Sequence, residues 1–330
     1  LSLMVVSVIA SSTQTLIQIP AIRHKGYRYS PRVNFKDPGL KKALVLVVPV
    51  LLGSAVRQIN GVVDKTLASE LVEGSISALT YAQKINELVI TVFVMAITTV
   101  VFPMLSQAFS ENNKGQIKRI FNEGINIILL ITVPATVGMI LLSEPIVRIF
   151  FERNAFDQVA TQMTSSALVF YAVGLVGSSL RLMLNRVFYS FHDTKTPMIN
   201  GSIAVVLNIA LNLLLIGKMG HSGLALATSI AAIFTTILLF FDLRNKMGKI
   251  GLRNILQTFI KTLLASLIMG VVVYLVYFKL GPVIIKGKIS DFLMLLLSVL
   301  FGMITYFILC LLLKVDELKT LIRYTKGIKR

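Results

Sequence analysis

Residues 291–313 read DFLMLLLSVLFGMITYFILCLLL, and after Asp291 no charged side chain interrupts the run. At about 1.5 Å per residue, a helix of this length covers about 35 Å, enough to cross the roughly 30 Å of bilayer hydrocarbon. A helix with no polar face belongs in lipid, because a surface helix of a soluble protein keeps one side for water. Working outward, comparable stretches lie near 1–20, 43–66, 76–105, 124–143, 161–183, 199–216, 222–241 and 258–279. They predict an all-α polytopic membrane protein with about nine transmembrane helices. The composition agrees: 55% of residues are hydrophobic and 15% charged, against roughly a quarter charged in soluble domains. Mean hydropathy is +0.80. A soluble globular fold is excluded, and unbroken apolar runs exclude a closed β-barrel. The first span begins at Leu1 without an initiator methionine or a basic leader, so it reads as an interrupted helix in a chain lacking its N-terminal part.

The 33 Lys and Arg outnumber 15 Asp and Glu, for a net charge of +18. Their distribution explains the excess. One set of loops holds Arg23, Lys25, Arg28, Arg32, Lys36, Lys41 and Lys42, then Lys114, Lys118 and Arg119, then Arg181, Arg186 and Lys195. The same set continues with Arg244, Lys246, Lys249, Arg253 and Lys261, and ends in the tail at 314–330. The alternate set has Arg148, Arg153, Lys218, Lys279, Lys286 and Lys288, with Glu70 and Glu73 in an acidic turn. Basic residues beside a span resist translocation, so the first set and the C-terminus are expected to be cytoplasmic. Such loops attract anionic membrane lipids, and no nucleic-acid partner is needed to explain the charge. Residues 144–157, EPIVRIFFERNAFD, suggest a short helix lying on the external surface.

Five charged residues remain inside the spans: Arg57, Asp64 and Lys65 in the second, Lys84 and Glu87 in the third. Each costs about 2.5 to 3.5 kcal/mol at the centre of a lipid-facing helix, so such groups normally face a bundle interior or a wet cavity. Arg57, Asn60 and Asp64 fall on one helical stripe, and Thr80, Lys84 and Glu87 on another. Both stripes can line a polar cleft. The alternative stays open that Lys84 and Glu87 neutralise each other while Asp64 and Lys65 snorkel to water. Pro49 and Pro134 lie inside apolar spans, where a missing N–H makes them hinge candidates. Small residues such as Gly138, Gly174, Gly177, Gly201, Gly223 and Ala227 are read as helix-packing positions. The single cysteine, Cys310, and the scattered His24, His192 and His221 offer neither a disulfide framework nor a metal site. Walker A, HExxH and GxSxG strings are all lacking, so a transporter or scaffold is expected rather than an enzyme.

Several strings resemble one family. Pro49, Gly53, Gln58, Ile59, Asn60 and VDKTLAS at 63–69 resemble the seventh helix of the MurJ (MviN) type lipid II flippases, within the multidrug/oligosaccharidyl-lipid/polysaccharide exporter superfamily. TYAQKINEL at 80–88 is similar to their eighth helix, with Gln83 and Lys84 where Asp and Arg are common. FYSFHDTKTP at 188–197 resembles the cytoplasmic loop before their eleventh helix, and Thr196 and Pro197 also suit a helix start. LIQIPAIRHKGY at 16–27 resembles the exit from helix six.

The resemblance implies helices six to fourteen of a fold with two six-helix bundles around a midplane cleft. On that reading 1–20 is a remnant of the last helix of a missing bundle and 21–42 a basic cytoplasmic linker. Residues 43–241 form a six-helix bundle, 258–313 two additional lipid-groove helices, and 314–330 a basic cytoplasmic tail. It implies a multi-pass protein of the bacterial plasma membrane that carries lipid II, an undecaprenyl-diphosphate-linked peptidoglycan precursor, to the outer leaflet by alternating access. Lys84 and Arg57 would hold phosphate, with Glu87, Asp64 and Asn60 beside them in the cavity. No cofactor is implied, and coupling to membrane potential or to a cation is open. Alternatives are a flippase for another polyprenyl-linked oligosaccharide, a cation-coupled drug exporter, and a membrane scaffold that recruits cell-wall synthesis proteins.

Overall fold

A computed structural model describes residues 2–26, 38–280 and 288–315 of the chain. Arg28, Arg32 and Lys36 of the basic linker, Lys286, and the tail beyond Val315 lie outside the described residues, as does the side chain of Arg57. By internal contacts the chain divides into two units, Leu1–Val45 and Leu46–Arg330. The first contains α1 (Ser2–His24), whose described side chains are exposed. The division falls within α2 (Pro38–Ser69), one turn before Pro49.

Helix is the regular secondary structure of the second unit among its described residues, joined by short turns. α3 (Ser75–Val89) runs through a π turn at Ile90–Val94 into α4 (Met95–Ser110). Then follow α5 (Lys114–Leu141), the short α6 (Ser143–Phe151), α7 (Gln158–Val173), α8 (Leu175–Ser190), α9 (Lys195–Met219) and α10 (His221–Met247). α11 (Leu252–Tyr274) with a π turn at Leu275–Leu280, and α12 (Lys288–Leu312), complete it. With α1 included and α3–α4 taken as one span, eight helices among the described residues are long and apolar enough to cross a membrane, or nine when α7 and α8 count as one bent span.

The molecule is built for lipid. Val206, Leu214 and Leu312 are about 70% exposed, whereas Phe121 and Ile125 on α5, Met183 and Val187 on α8 and Leu239 on α10 are sealed inside one core. Thr132 and Thr262, both fully buried, return their hydroxyls to the preceding turn, at Ile128 O (2.8 Å) and Thr258 O (2.9 Å), so each sits in apolar surroundings without an unsatisfied donor.

The stretch at 161–183, read as one straight span, is broken. α7 and α8 meet at Gly174 with a 47° bend. A Cβ at Gly174 would stand 2.6 Å from Ser229 Cα, so only glycine lets α10 come this close. The bend frees the Phe170 carbonyl, and α10 takes it up: Ser229 Oγ donates there at 2.6 Å, while further along Thr236 Oγ1 donates to Gly177 O inside α8 (2.7 Å). Pro134 poses the same problem in α5, since it has no N–H for Leu130 O. Tyr306 OH, from α12, donates there at 2.8 Å.

Among the expected packing glycines, Gly174, Gly177 and Gly223 meet neighbouring atoms closely, but Gly138 and Gly201 have nothing within 4 Å of a notional Cβ. α6 is the short helix read at 144–157; it buries Pro145 and Val147, while Phe151 packs tilted and Phe156 edge-on against Tyr81, with centroids 4.7 and 5.5 Å away.

Candidate functional site

A cavity of about 400 Å³ opens within the second unit, walled by α2, α3, α7, α8, α9 and α10. Helical periodicity decides which residues reach it. On α3 the wall is Gln83, Asn86, Glu87 and Ile90, an i, i+3, i+4, i+7 stripe that runs into the π turn. On α8 it is Ser178, Arg181, Asn185 and Tyr189, again one face. Pro49, Gly53, Asn60 and Asp64 line it from α2.

Asp64 anchors the densest polar cluster. Its Oδ1 accepts from Asn212 Nδ2 at 2.6 Å and its Oδ2 from Asn60 Nδ2 at 3.1 Å. Asn212 is fully buried and Asn208, one turn earlier, is 2% exposed. The Asn208 amide fits best with its nitrogen donating to Asn60 Oδ1 (3.0 Å) and Asp64 Oδ1 (3.2 Å). Thr228 on α10 closes the ring: its backbone N–H donates to the Asn208 oxygen at 3.0 Å, and its hydroxyl donates to Leu224 O at 3.0 Å. Among the described residues no Lys or Arg pairs with Asp64 within 4.0 Å, so amides alone hold the carboxylate. One carboxylate among neutral amide, hydroxyl and carbonyl oxygens suits a proton or a hard monovalent cation, and Asn212 Oδ1 is buried with no partner. No group of three His, Cys, Asp or Glu residues assembles among the described residues, so transition-metal chemistry has no ligand set there.

The α3 charges are arranged differently from expectation. Glu87 lines the cavity but accepts from Gln83 Nε2 (2.8 Å) on its own helix, and no ion pair joins it to Lys84 among the described residues. Lys84 is exposed and outside the wall, its Nζ 5.8 Å above the Tyr81 ring. Thr80 bonds back to Ile76 O. The cavity's described cation is instead Arg181. Sequence reading sorted Arg181 and Arg186 with the cytoplasmic loops, but both lie inside α8, where Arg186 rests on the Phe102 ring at 5.7 Å. The spacing of Ser178, Arg181, Asn185 and Tyr189 was the missed signal: one polar face that continues past residue 183. Asn208, Asn212 and Thr228 carry no charge and were also passed over.

The string at 188–197 forms a knot at the α8–α9 turn. His192 adopts a left-handed φ of 55°, and Asp193 N returns to Phe188 O at 3.0 Å. The cap comes from Asp193 rather than Thr196: its carboxylate accepts from Thr196 N (3.0 Å) and Thr196 Oγ1 (2.9 Å), with Pro197 in the first turn. Lys246 at the end of α10 donates to the same carboxylate at 2.6 Å and lies over the Phe188 and Phe191 rings. Burial works against ionisation of Asp193, but the Lys246 and Thr196 hydrogen bonds outweigh it and hold its carboxyl below the usual range.

The sequence model of the lipid II flippase MurJ family matches residues 1–306. The chain belongs to that family. It is 31% identical over 277 residues to a probable lipid II flippase MurJ of Rickettsia prowazekii, covering 84% of this chain and 54% of the relative. A relative of the same name from Rhizobium tropici is 31% identical over 307 residues, 92% of this chain and 57% of that one. The chain thus spans about half the length of the curated relatives it matches. A solved lipid II flippase MurJ in an inward closed conformation superposes with TM-score 0.68 at 31% identity, covering 86% of this chain and 57% of that chain. An outward-facing multidrug transporter of the MATE family, at TM-score 0.57 and 16% identity, covers 87% and 68% and shares the fold.

Proposed function

We propose that this chain works in a flippase that carries lipid II, or a related polyprenyl-diphosphate lipid, from the inner to the outer leaflet of the bacterial plasma membrane. The observation that carries the reading is one half-open cavity holding Arg181, Asp64 and Glu87 among amides and tyrosines. A diphosphate cannot cross about 30 Å of hydrocarbon unaided, so a cationic, hydrogen-bonding cleft has to replace its water. Arg181, with a planar fork suited to phosphate oxygens, is assigned first place in holding it. Lys84 and Arg57, favoured by the family resemblance, take second place.

The Asp64 cluster is assigned to coupling. A proton or monovalent cation arriving there replaces amide hydrogen bonds between α2 and α9, which changes how those helices hold together. Pro49, in the cavity wall, and Pro134 are the bending points for alternating access. The cycle needs no covalent chemistry. Basic helix ends and the C-terminus face the cytoplasm on this reading, where anionic lipids and cell-wall synthesis proteins are the partners.

The test is complementation of cells depleted of their lipid II flippase, using this chain joined to a homologous N-terminal bundle. Arg181→Gln and Asp64→Ala are each expected to abolish rescue at normal membrane levels, with Lys84→Ala milder. Full rescue by both of the first two would remove the cavity from the mechanism. Failure of every well-expressed version would point to another lipid-linked substrate or a scaffold.

A further inference from the structure

A second pocket, of about 430 Å³, lies apart from the cavity, between the N-terminal halves of α5 and α11 and Val315, just past α12. Its walls are two matching polar stripes on otherwise apolar helices: Arg119, Asn122, Glu123 and Asn126 on α5, and Asn254, Gln257, Thr258 and Lys261 on α11. Each repeats i, i+3, i+4, i+7, so eight polar side chains converge where two membrane helices could have packed tightly with small residues. Beside the pocket, the outer face of α11 is apolar, with Leu256, Ile260 and Leu264 about half exposed. A polar hole bordered by a lipid-facing surface fits an amphipathic ligand, head inside and chains along the helix.

The charges narrow the head. Arg119 is paired with Glu123 at 2.9 Å, so those two cancel. Lys261 has no carboxylate within 4.0 Å among the described residues; its Nζ donates to the neutral Lys314 carbonyl at 3.1 Å. Among the described residues Lys261 is the one cation on the pocket wall without a carboxylate partner, and the side-chain amides of Asn254 and Gln257 on the same helix add donors for phosphate oxygens. We infer that this pocket binds the phosphodiester headgroup of an acidic phospholipid, with Lys261 as the phosphate ligand and the α11 face as the seat of the acyl chains. The starts of α5 and α11 carry Lys114, Lys118 and Arg253, and basic span ends of this kind are expected at headgroup depth. The site needs no transport cycle and stands independently of the flippase reading.

Native mass spectrometry of the delipidated 330-residue chain in detergent tests it, with phosphatidylglycerol and phosphatidylcholine as probes. Phosphatidylglycerol is expected to bind more tightly, and Lys261→Gln to weaken it about tenfold, the worth of one charge-assisted hydrogen bond. Lys249→Gln, on the exposed α10–α11 turn outside the pocket, should leave binding unchanged. Because Lys261 also holds the Lys314 carbonyl, Arg119→Gln, at a side chain 79% exposed, supplies a second reading in the same direction. Equal losses from Lys249→Gln and Lys261→Gln would mean diffuse surface charge and overturn the site, as would equal binding of the two lipids. Displacement of phosphatidylglycerol by excess inorganic phosphate alone would overturn the lipid assignment in favour of a soluble phosphate ester.

Discussion

Asp64 and Glu87 are both carboxylates in long apolar helices, and both reach the wall of the same cavity. Asp64 is held by amides from two helices, Asn60 on its own and Asn212 on α9, while the hydrogen bond Glu87 receives comes from Gln83 one turn earlier. The contrast shows that a charge in an apolar run marks a polar environment without fixing what it does there. A partner on another helix makes the charge part of the tertiary structure, and a partner on the same helix leaves it available.

The largest expected effect on stability tests this directly. Asn212→Ala removes the 2.6 Å donor to Asp64 from a fully buried position, and should destabilise the detergent-solubilised chain by about 1.5 to 3 kcal/mol. Gln83→Ala, on the exposed side of the comparison, should stay within about 0.5 kcal/mol. Thermal unfolding of both variants decides, and a reversed order would break the contrast.

Tyr306→Phe sharpens it for an uncharged case. The variant leaves Leu130 O with neither the Tyr306 hydroxyl nor an N–H from Pro134, and should cost about 1 kcal/mol by the same measurement.

The smallest effect belongs to the Asp193–Lys246 pair, whose side chains are 18% and 41% exposed. It crosses from the α8–α9 turn to α10, yet solvent screening limits it to under about 1 kcal/mol. Asp193 is held below the ordinary carboxylate range, so its contribution is complete above about pH 4 and is lost as pH falls through its lowered value. The gap in melting temperature between the unaltered chain and Asp193→Asn should therefore close on acidification, and a gap that widens would refute the assignment.

Much of the fold was legible because lipid imposes a length and an apolar run on each span. Residues 291–313 announce themselves, and α12 covers nearly that stretch. The bend at Gly174 did not, since glycine is ordinary in membrane helices and the break depends on Ser229, far away in sequence. At the cavity, Asp64 and Glu87 could be picked out as charges in apolar company. Arg181 could not, because the span was ended at 183 and a basic residue near a span end looks like a topology signal. Asn208, Asn212 and Thr228 are neutral, and only the packing of α9 on α10 reveals that they form one cluster with Asp64.

The bend between α7 and α8 also limits how this sequence can drift. Any side chain at 174 would force the α10 backbone away, and loss of the hydroxyl at 229 would strip the Phe170 carbonyl of its donor. Neither position is free to vary while the other stays as it is. Residues 55 apart in the chain thus behave as one inherited unit, and a descendant that straightens this helix has to rewrite both.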